Sequence, residues 1–263
     1  MGNTYWLKQA RDKPLFEDLI WSRPENKRQA GKLLVIGGNK HGFAAPAAAY
    51  SAANRAGIGS CRVLIPESLR KIVGTLLEAD FGPSNPSGSF ARTALDSFLE
   101  NAHWADGVLL AGNLGRNSET AIVLDKFVEK FSGQLIVAGD SLDYFLNTGS
   151  TILDRENTTM VINLGKLQRL AKNINPDVVI KHSYSLAEMI RKLADWSQTT
   201  RANFVTRHQD QLITAVAGKV STIPWEEDQK WQVELPAYIC VWQIQNPSKT
   251  FEAITTAIFE ATK

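Results

Sequence analysis

Three short segments carry the residues best suited to chemistry. The first, Gly37-Gly-Asn-Lys-His-Gly-Phe-Ala-Ala-Pro46, stands between an apolar run and a segment of small residues that reads as a helix. Glycines let a ligand approach bare backbone, and a helix start offers free N–H groups and a favourable dipole to an anion. Gly37, Gly38, Asn39 and Ala45 are therefore candidate ligand contacts. The pattern is neither a P-loop nor a dinucleotide fingerprint, and a tight turn that binds nothing would use the same residues. A second turn, Ala111-Gly-Asn-Leu-Gly-Arg116, adds Gly112 and Gly115, and Asp140 follows a third apolar run in the same way. An Asp at such a place serves either as a helix cap or as an acid–base group. Ligands of open α/β sheets bind beyond the carboxyl ends of the strands, so the three loops are expected to share one edge.

Other chemistries find little support. His41, His103, His182 and His208 are scattered without metal-ligand spacing. There is no His-Glu-x-x-His, no paired cysteine motif and no Gly-x-Ser-x-Gly, so no metal site is expected. Glu226-Glu-Asp228 reads as a solvated loop, with a cation site as the alternative. Cys61 and Cys240 read as reduced thiols. The opening Met-Gly-Asn-Thr-Tyr-Trp-Leu-Lys has no apolar stretch of signal-peptide length, and a cytoplasmic location is expected.

The elements that must hold these loops are legible as an alternation. Apolar runs at Lys32–Gly37, Cys61–Pro66, Gly107–Gly112, Gln134–Ala138, Thr159–Asn163 and Asp177–Lys181 are short, rich in Val, Ile and Leu, and bounded by turn residues. Such runs suit strands buried on both faces. Helices are expected over 44–57, 67–79, 89–102, 117–131, 164–173 and 185–198, the last started by the capping box Ser185-Leu-Ala-Glu188. Repeated strand–helix alternation implies right-handed crossovers and an α/β/α sandwich. Beyond Asn203 three close strands, Asn203–Thr206, Gln211–Val216 and Lys219–Ile223, predict an antiparallel edge. Two closing helices follow, near 235–245 and 248–261, after a polar loop running from Trp225 to Trp231.

Composition agrees with a globular chain. Over 263 residues, Lys+Arg at 29 against Asp+Glu at 27 leaves +2, too little for a surface dominated by polyanion binding. Hydrophobic residues at 44% supply a core, and no run reaches the roughly 18 apolar residues of a membrane span. One domain over 1–263 is expected, with 1–30 as an extension packing on it.

The residues resemble a known family. Arg23-Pro24, Lys27, Gly31-Lys-Leu-Leu-Val-Ile-Gly-Gly38, Ala45-Pro46 and Arg55-Ala-Gly-Ile-Gly59 are similar to the opening of ADP/ATP-dependent NAD(P)H-hydrate dehydratases. Ala111–Gly115 resembles that family's G-P-G-L-G turn, Gly139–Leu142 its D-A-D-A-L segment, and Asn163–Leu170 its P-H-P-G-E…R-L segment. The resemblance implies a ribokinase-like fold, strongest before Gly59. It also implies removal of water from hydrated NADH or NADPH, with ADP or ATP (and Mg) as co-substrate if the activity persists. Carried over residue by residue, it breaks. The family's histidine falls on Asn163 and its glutamate on Lys166, while the first Asp of D-A-D-A-L falls on Ala138, leaving Asp140. The nucleotide-side L-K-G falls near Val205–Arg207. The G-T-G-D motif, which carries the anion-binding glycines and the catalytic Asp, falls near Trp231-Gln-Val-Glu234, and no glycine follows Gly218.

Three functions compete. The favoured one is a degenerate relative that has lost nucleotide-dependent catalysis and keeps part of a substrate-side cleft through Gly37, Gly38, Asn39, Ala45, Gly112, Gly115 and Asn163. Its ligand would be a nicotinamide nucleotide or a related small molecule, with no nucleic acid or membrane as partner. The second is an active, diverged lyase or kinase using Glu234 or Asp140 as base. The third is an interaction subunit or homo-oligomer presenting Trp225, Trp231 and Trp242 at an interface.

Overall fold

In the computed structural model, residues 5–74, 78–148, 150–174, 177–226 and 230–263 are described. The chain opens with β1 (Trp6–Lys8) and α1 (Glu17–Trp21), then β2 (Lys32–Gly37), α2 (Ala44–Arg55), β3 (Ser60–Pro66), α3 (Arg70–Val73) and β4 (Ala79–Gly82). Next come α4 (Leu95–Trp104), β5 (Gly107–Gly112), α5 (Ser118–Lys130), β6 (Gln134–Ala138), α6 (Ser150–Leu153), β7 (Thr158–Val161) and α7 (Leu164–Ile174). It closes with α8 (Leu186–Thr199), β8 (Asn203–His208), β9 (Gln211–Val216), β10 (Lys219–Pro224), α9 (Leu235–Gln245) and α10 (Thr250–Ala261).

The apolar runs form the parallel centre of a ten-stranded sheet ordered β1-β10-β9-β8-β7-β6-β5-β2-β3-β4. Pairing is parallel from β4 through to β8 and antiparallel at β8–β9 and β9–β10. Burial on both faces explains the unbroken Val/Ile/Leu content, since Leu33 to Ile36 are wholly inaccessible. One face packs under α4, α5, α7 and α8, where Phe90, Phe98 and Phe127 meet edge to face at 4.8 and 5.5 Å. Each such ring contributes roughly 1.5–3 kcal/mol by burial. The other face lies under α2, α9 and α10. Helix α9 has apolar residues all round, as a helix enclosed by the sheet, α2 and α10 must. Cys61 and Cys240 are free and buried in this layer.

Residues expected as an extension do more than pack on the core. Trp6–Lys8 pairs in parallel with Val220–Thr222, and the Trp6 indole donates to Thr222 Oγ1 at 3.0 Å. Phe16 meets Phe251 at 6.1 Å.

Several expectations need correction. Asp177–Lys181 is no strand. Strand β7 pairs directly with β8, Met160 against Phe204, which leaves no vacant edge for it. Its apolar residues are used irregularly instead: Ile180 is buried and its carbonyl accepts from Gln168, while Val179 is 44% exposed. The helix expected over 67–79 ends at Val73, where Gly74 takes φ of +55°, and β4 starts at Ala79. The helix expected from 89 starts at Leu95, because Phe90 first bridges to Ser84. The capping box at Ser185 forms as expected. Of the acidic run 226–228, only Glu226 lies within the described residues, and it pairs with Arg11 at 3.4 Å.

Candidate functional site

Strands β2 and β5 end side by side, and their last glycines are matched to each other. A Cβ on Gly37 would stand 2.4 Å from the Gly112 carbonyl oxygen, which also accepts from Gly38 N at 3.0 Å. A side chain on Gly37 would force the two strands apart, so this glycine serves close approach, and one on Gly112 would press on Asp140. Beyond it the loops are tied by amides. Asn39 Nδ2 donates to Asn113 O at 2.5 Å, and Asn39 Oδ1 accepts from His41 N at 2.8 Å. Asn113, at φ of +56°, accepts from Ala45 N at 2.7 Å through Oδ1. Helix α2 lacks a cap of its own. Asn113 supplies one from the neighbouring loop, at a point where an anion was expected to sit. No local pattern marks this role, because the cap comes from a distant loop.

The next two loops continue along the same edge. Gly115 O accepts from the Tyr144 hydroxyl at 2.5 Å, and burial pushes the Tyr144 phenol above its ordinary range. Asp140 opens the turn after β6. Its Oδ1 is buried, has no hydrogen-bond partner among the described residues, and lies 2.8 Å from where a Cβ on Gly112 would be. Asn163 caps α7, its Oδ1 accepting from Lys166 N at 2.9 Å, while its Nδ2 reaches Gln232 Oε1 at 3.4 Å. The Lys166 ammonium donates to Gly139 O at 2.7 Å and pairs with Asp143 at 2.8 Å. The fold thus strings Gly37, Gly38, Asn39, Ala45, Gly112, Gly115, Asp140 and Asn163 along one sheet edge through a chain of contacts. Several of their polar groups are already engaged, chiefly by Asn113, Tyr144 and Lys166.

Two cavities flank the entry to α9. One, of about 310 Å³, is lined by Asn163, His182, Arg207, His208, Trp231 and Gln232, among others. It brings together two histidines that are 26 positions apart in sequence, a pairing no spacing rule could find. His208 is buried and its Nε2 lies 2.7 Å from Tyr184 O. The other cavity, also about 310 Å³, holds Glu234 with Arg11, Trp225, Leu235 and Tyr238 in its walls. Glu234 points to that second space and is held by Arg55 at 2.5 Å. It therefore lines a different cavity from Asn163. Trp225, Trp231 and Trp242 are 6%, 3% and 0% exposed, so they are core side chains and present no interface. Among the described residues no group of three or more His, Cys, Asp or Glu is placed to hold a metal ion. No helix among them is long and apolar enough to cross a membrane.

No family model matches the chain. It is 28% identical over 170 residues to the bifunctional NAD(P)H-hydrate repair enzyme Nnr of Methanocaldococcus jannaschii, a stretch covering 61% of this chain and 33% of that enzyme. The chain thus spans about a third of the length of that relative. Among solved structures it is similar to a ribokinase-like superfamily protein from Enterococcus faecalis V583, with a TM-score of 0.72, 17% identity, and coverage of 98% of this chain and 87% of that one. It is also similar to the ADP/ATP-dependent NAD(P)H-hydrate dehydratase from Bacillus subtilis co-crystallized with ATP/Mg2+, with a TM-score of 0.62, 15% identity, and coverage of 94% and 86%. With its mostly parallel sheet and antiparallel edge, the chain has a ribokinase-like fold and, over about three fifths of its length, is similar in sequence to an NAD(P)H-hydrate repair enzyme.

Proposed function

We propose that this chain is a degenerate relative of the NAD(P)H-hydrate dehydratases: it has lost ADP/ATP-dependent catalysis and keeps part of a substrate-side cleft for a nicotinamide nucleotide or related small molecule. The observation that carries this is the entry to α9. Where the resemblance puts anion-binding glycines and a catalytic Asp, Trp231 is 3% exposed and Glu234 is bound to Arg55 at 2.5 Å. A phosphate needs bare N–H groups and positive potential at such a helix start. An indole and a carboxylate supply neither.

The residues present therefore do not fit ATP with Mg2+. Losing a hydrogen bond to a charged ligand costs roughly 1.5–3 kcal/mol. Two or three such losses weaken binding by several orders of magnitude, since about 1.4 kcal/mol is tenfold. A second reading, an active diverged enzyme, draws its support from Asp140, whose buried Oδ1 has no hydrogen-bond partner among the described residues. In that case Asp140 is a better base than Glu234, because it stands on the edge shared by Gly112 and Asn163.

Calorimetry with ADP and ATP in the presence of Mg2+, followed by a dehydratase assay on hydrated NADH, separates the two. The expected result is no saturable heat and no turnover. Micromolar ADP affinity, with turnover abolished in Glu234→Gln or Asp140→Asn, would restore an enzyme.

A further inference from the structure

Between β4, the last strand of the sheet, and α4 the chain makes an excursion to the glycine loops and returns. Its neck is closed where Ala91 N donates to Pro83 O at 2.9 Å and Ser84 bridges to Phe90, which is buried against Phe98. The tip, Asn85-Pro-Ser-Gly-Ser89, holds no large apolar side chain. Polar contacts fasten it to three other loops. Gly88 O accepts from Lys40 N in the loop after β2 and from Ser68 Oγ in the turn after β3, each at 2.9 Å. In the loop after β5, Asn117 Oδ1 accepts from Asn85 Nδ2 at 2.9 Å and Asn117 Nδ2 donates to Ser87 Oγ at 3.0 Å. Ser89 Oγ lies 3.2 Å from where a Cβ on Gly115 would be, and Asn39 Nδ2 lies 3.3 Å from the same point. Gly37, Gly38, Asn39 and Gly112, all expected to meet a ligand, are buried.

We propose that Asn85–Ser89 is a strap that gates the substrate-side edge: it opens as one unit from its neck, and its open form exposes Asn39 and Gly115 to a ligand. The tip is tied to itself, since Asn85 Oδ1 accepts from Ser87 Oγ at 2.6 Å and from Ser89 N at 3.2 Å, while Asn85 N donates to Ser89 O at 2.9 Å. It therefore moves as a body. The neck stays, because Phe90 is packed and its carbonyl accepts from Thr120 Oγ1 at 3.0 Å. A compact loop with close ends and little apolar burial opens at a lower free energy than the strands beside it. A ligand that needs the open form binds with an affinity reduced by the fraction of protein that is open. The gate rests on the reading above for its ligand, whereas the opening itself is measured without one.

The test is amide hydrogen exchange resolved residue by residue by NMR, on wild type, Ser68→Ala, Ser87→Ala and Gly88→Ala. Circular dichroism melts establish that each is folded. Ser68→Ala and Ser87→Ala each remove side-chain bonds at opposite ends of the strap, and Gly88→Ala would put a Cβ 2.5 Å from Lys40 Cβ. Should Gly88→Ala not fold, the two serine variants carry the test. The amides of Lys40, Asn85, Gly88 and Ser89 are expected to share one opening constant, larger than that of the β2 amides. Each serine variant should raise that constant roughly two- to tenfold at all four amides, the loss of about one hydrogen bond, and leave β2 unchanged. Strap amides that exchange only as fast as those of β2 overturn the proposal. So does a variant that speeds exchange only beside its own lost contact. Calorimetry with nicotinamide mononucleotide then reads the gate, with affinity expected to rise in each variant by the factor found in exchange. Equal affinity in wild type and variants overturns the gate. Shared opening with no binding by any of them supports the strap and overturns the reading of a nicotinamide ligand.

Discussion

Replacing Trp231 by alanine tests whether the entry to α9 is filled by packing or kept open for a ligand. Trp231 is 3% exposed and belongs to the core layer that contains α9 and α10. Truncating a buried Trp or Phe to alanine costs roughly 3–5 kcal/mol, the lost transfer energy plus the cavity left behind. In a chain of 263 residues each kcal/mol moves the melting temperature by about 2–4 °C. Trp231→Ala is therefore expected to melt about 6–20 °C below wild type. Trp21, 85% exposed, is the internal control. Its truncation should stay within about 0.5 kcal/mol, or about 1–2 °C. The assay is thermal unfolding followed by far-ultraviolet circular dichroism at pH 7, with and without millimolar ADP. ADP is expected to leave the Trp231→Ala melt unmoved, because opening the space restores neither glycine nor lysine. A Trp231→Ala melt within about 3 °C of wild type would refute the reasoning, since a side chain lining an open site gives up little on truncation.

Two further outcomes follow from the geometry. Gly37→Ala places a Cβ 2.4 Å from the Gly112 carbonyl oxygen, backbone that cannot turn aside, so it should destabilise by at least the roughly 1–3 kcal/mol of overpacking. Gly42→Ala, with open space around it, should not change the melt. Burial pushes the Cys61 thiol up to about 12, above the usual value of 9.0. The folded protein therefore keeps a proton that the unfolded chain releases, and stability falls as pH rises from about 9 toward 12. Cys61→Ala should show a shallower alkaline loss of stability than wild type, read from denaturant midpoints at pH 8 and pH 10; parallel slopes would contradict it.

The parallel centre of the sheet was legible because strands buried on both faces have a compositional mark. Each of Lys32–Gly37, Gly107–Gly112 and Gln134–Ala138 appears where its apolar run stands. The same mark misled at Asp177–Lys181, since an apolar run does not make a strand without a free edge to pair with, and of its apolar residues only Ile180 is buried. Strand β1 was missed for the opposite reason: with Trp6 and Leu7 half-buried and Lys8 exposed, its three residues carry no run. At the site, the residue types and their common edge were legible, but their partners were not. Asn113 capping α2, His182 and His208 lining one cavity, and Lys166 reaching Gly139 all depend on loops that the sheet order alone brings together.

Those partners also explain why the resemblance is strong where it says least about chemistry. The Arg23 guanidinium donates to Ala56 O at 2.6 Å and lies over the Trp242 ring at 5.1 Å, and a Cβ on Gly59 would stand 2.0 Å from Lys27 O. The motif from Arg23 to Gly59 is thus a clasp that closes the entry to β2 over the end of α2. Gly37 is likewise fixed by the Gly112 carbonyl. Each of these residues is held by backbone contact, which a substitution would break whatever the protein binds. Trp231, Glu234, Lys166 and Asn163 stand where the resemblance puts chemistry, and each is accommodated here by packing, an ion pair or a helix cap. A scaffold held this way does not depend on what its edge binds. Similarity carried by its glycines and clasps is information about the fold, and only the side chains at the sheet edge bear on what the protein does.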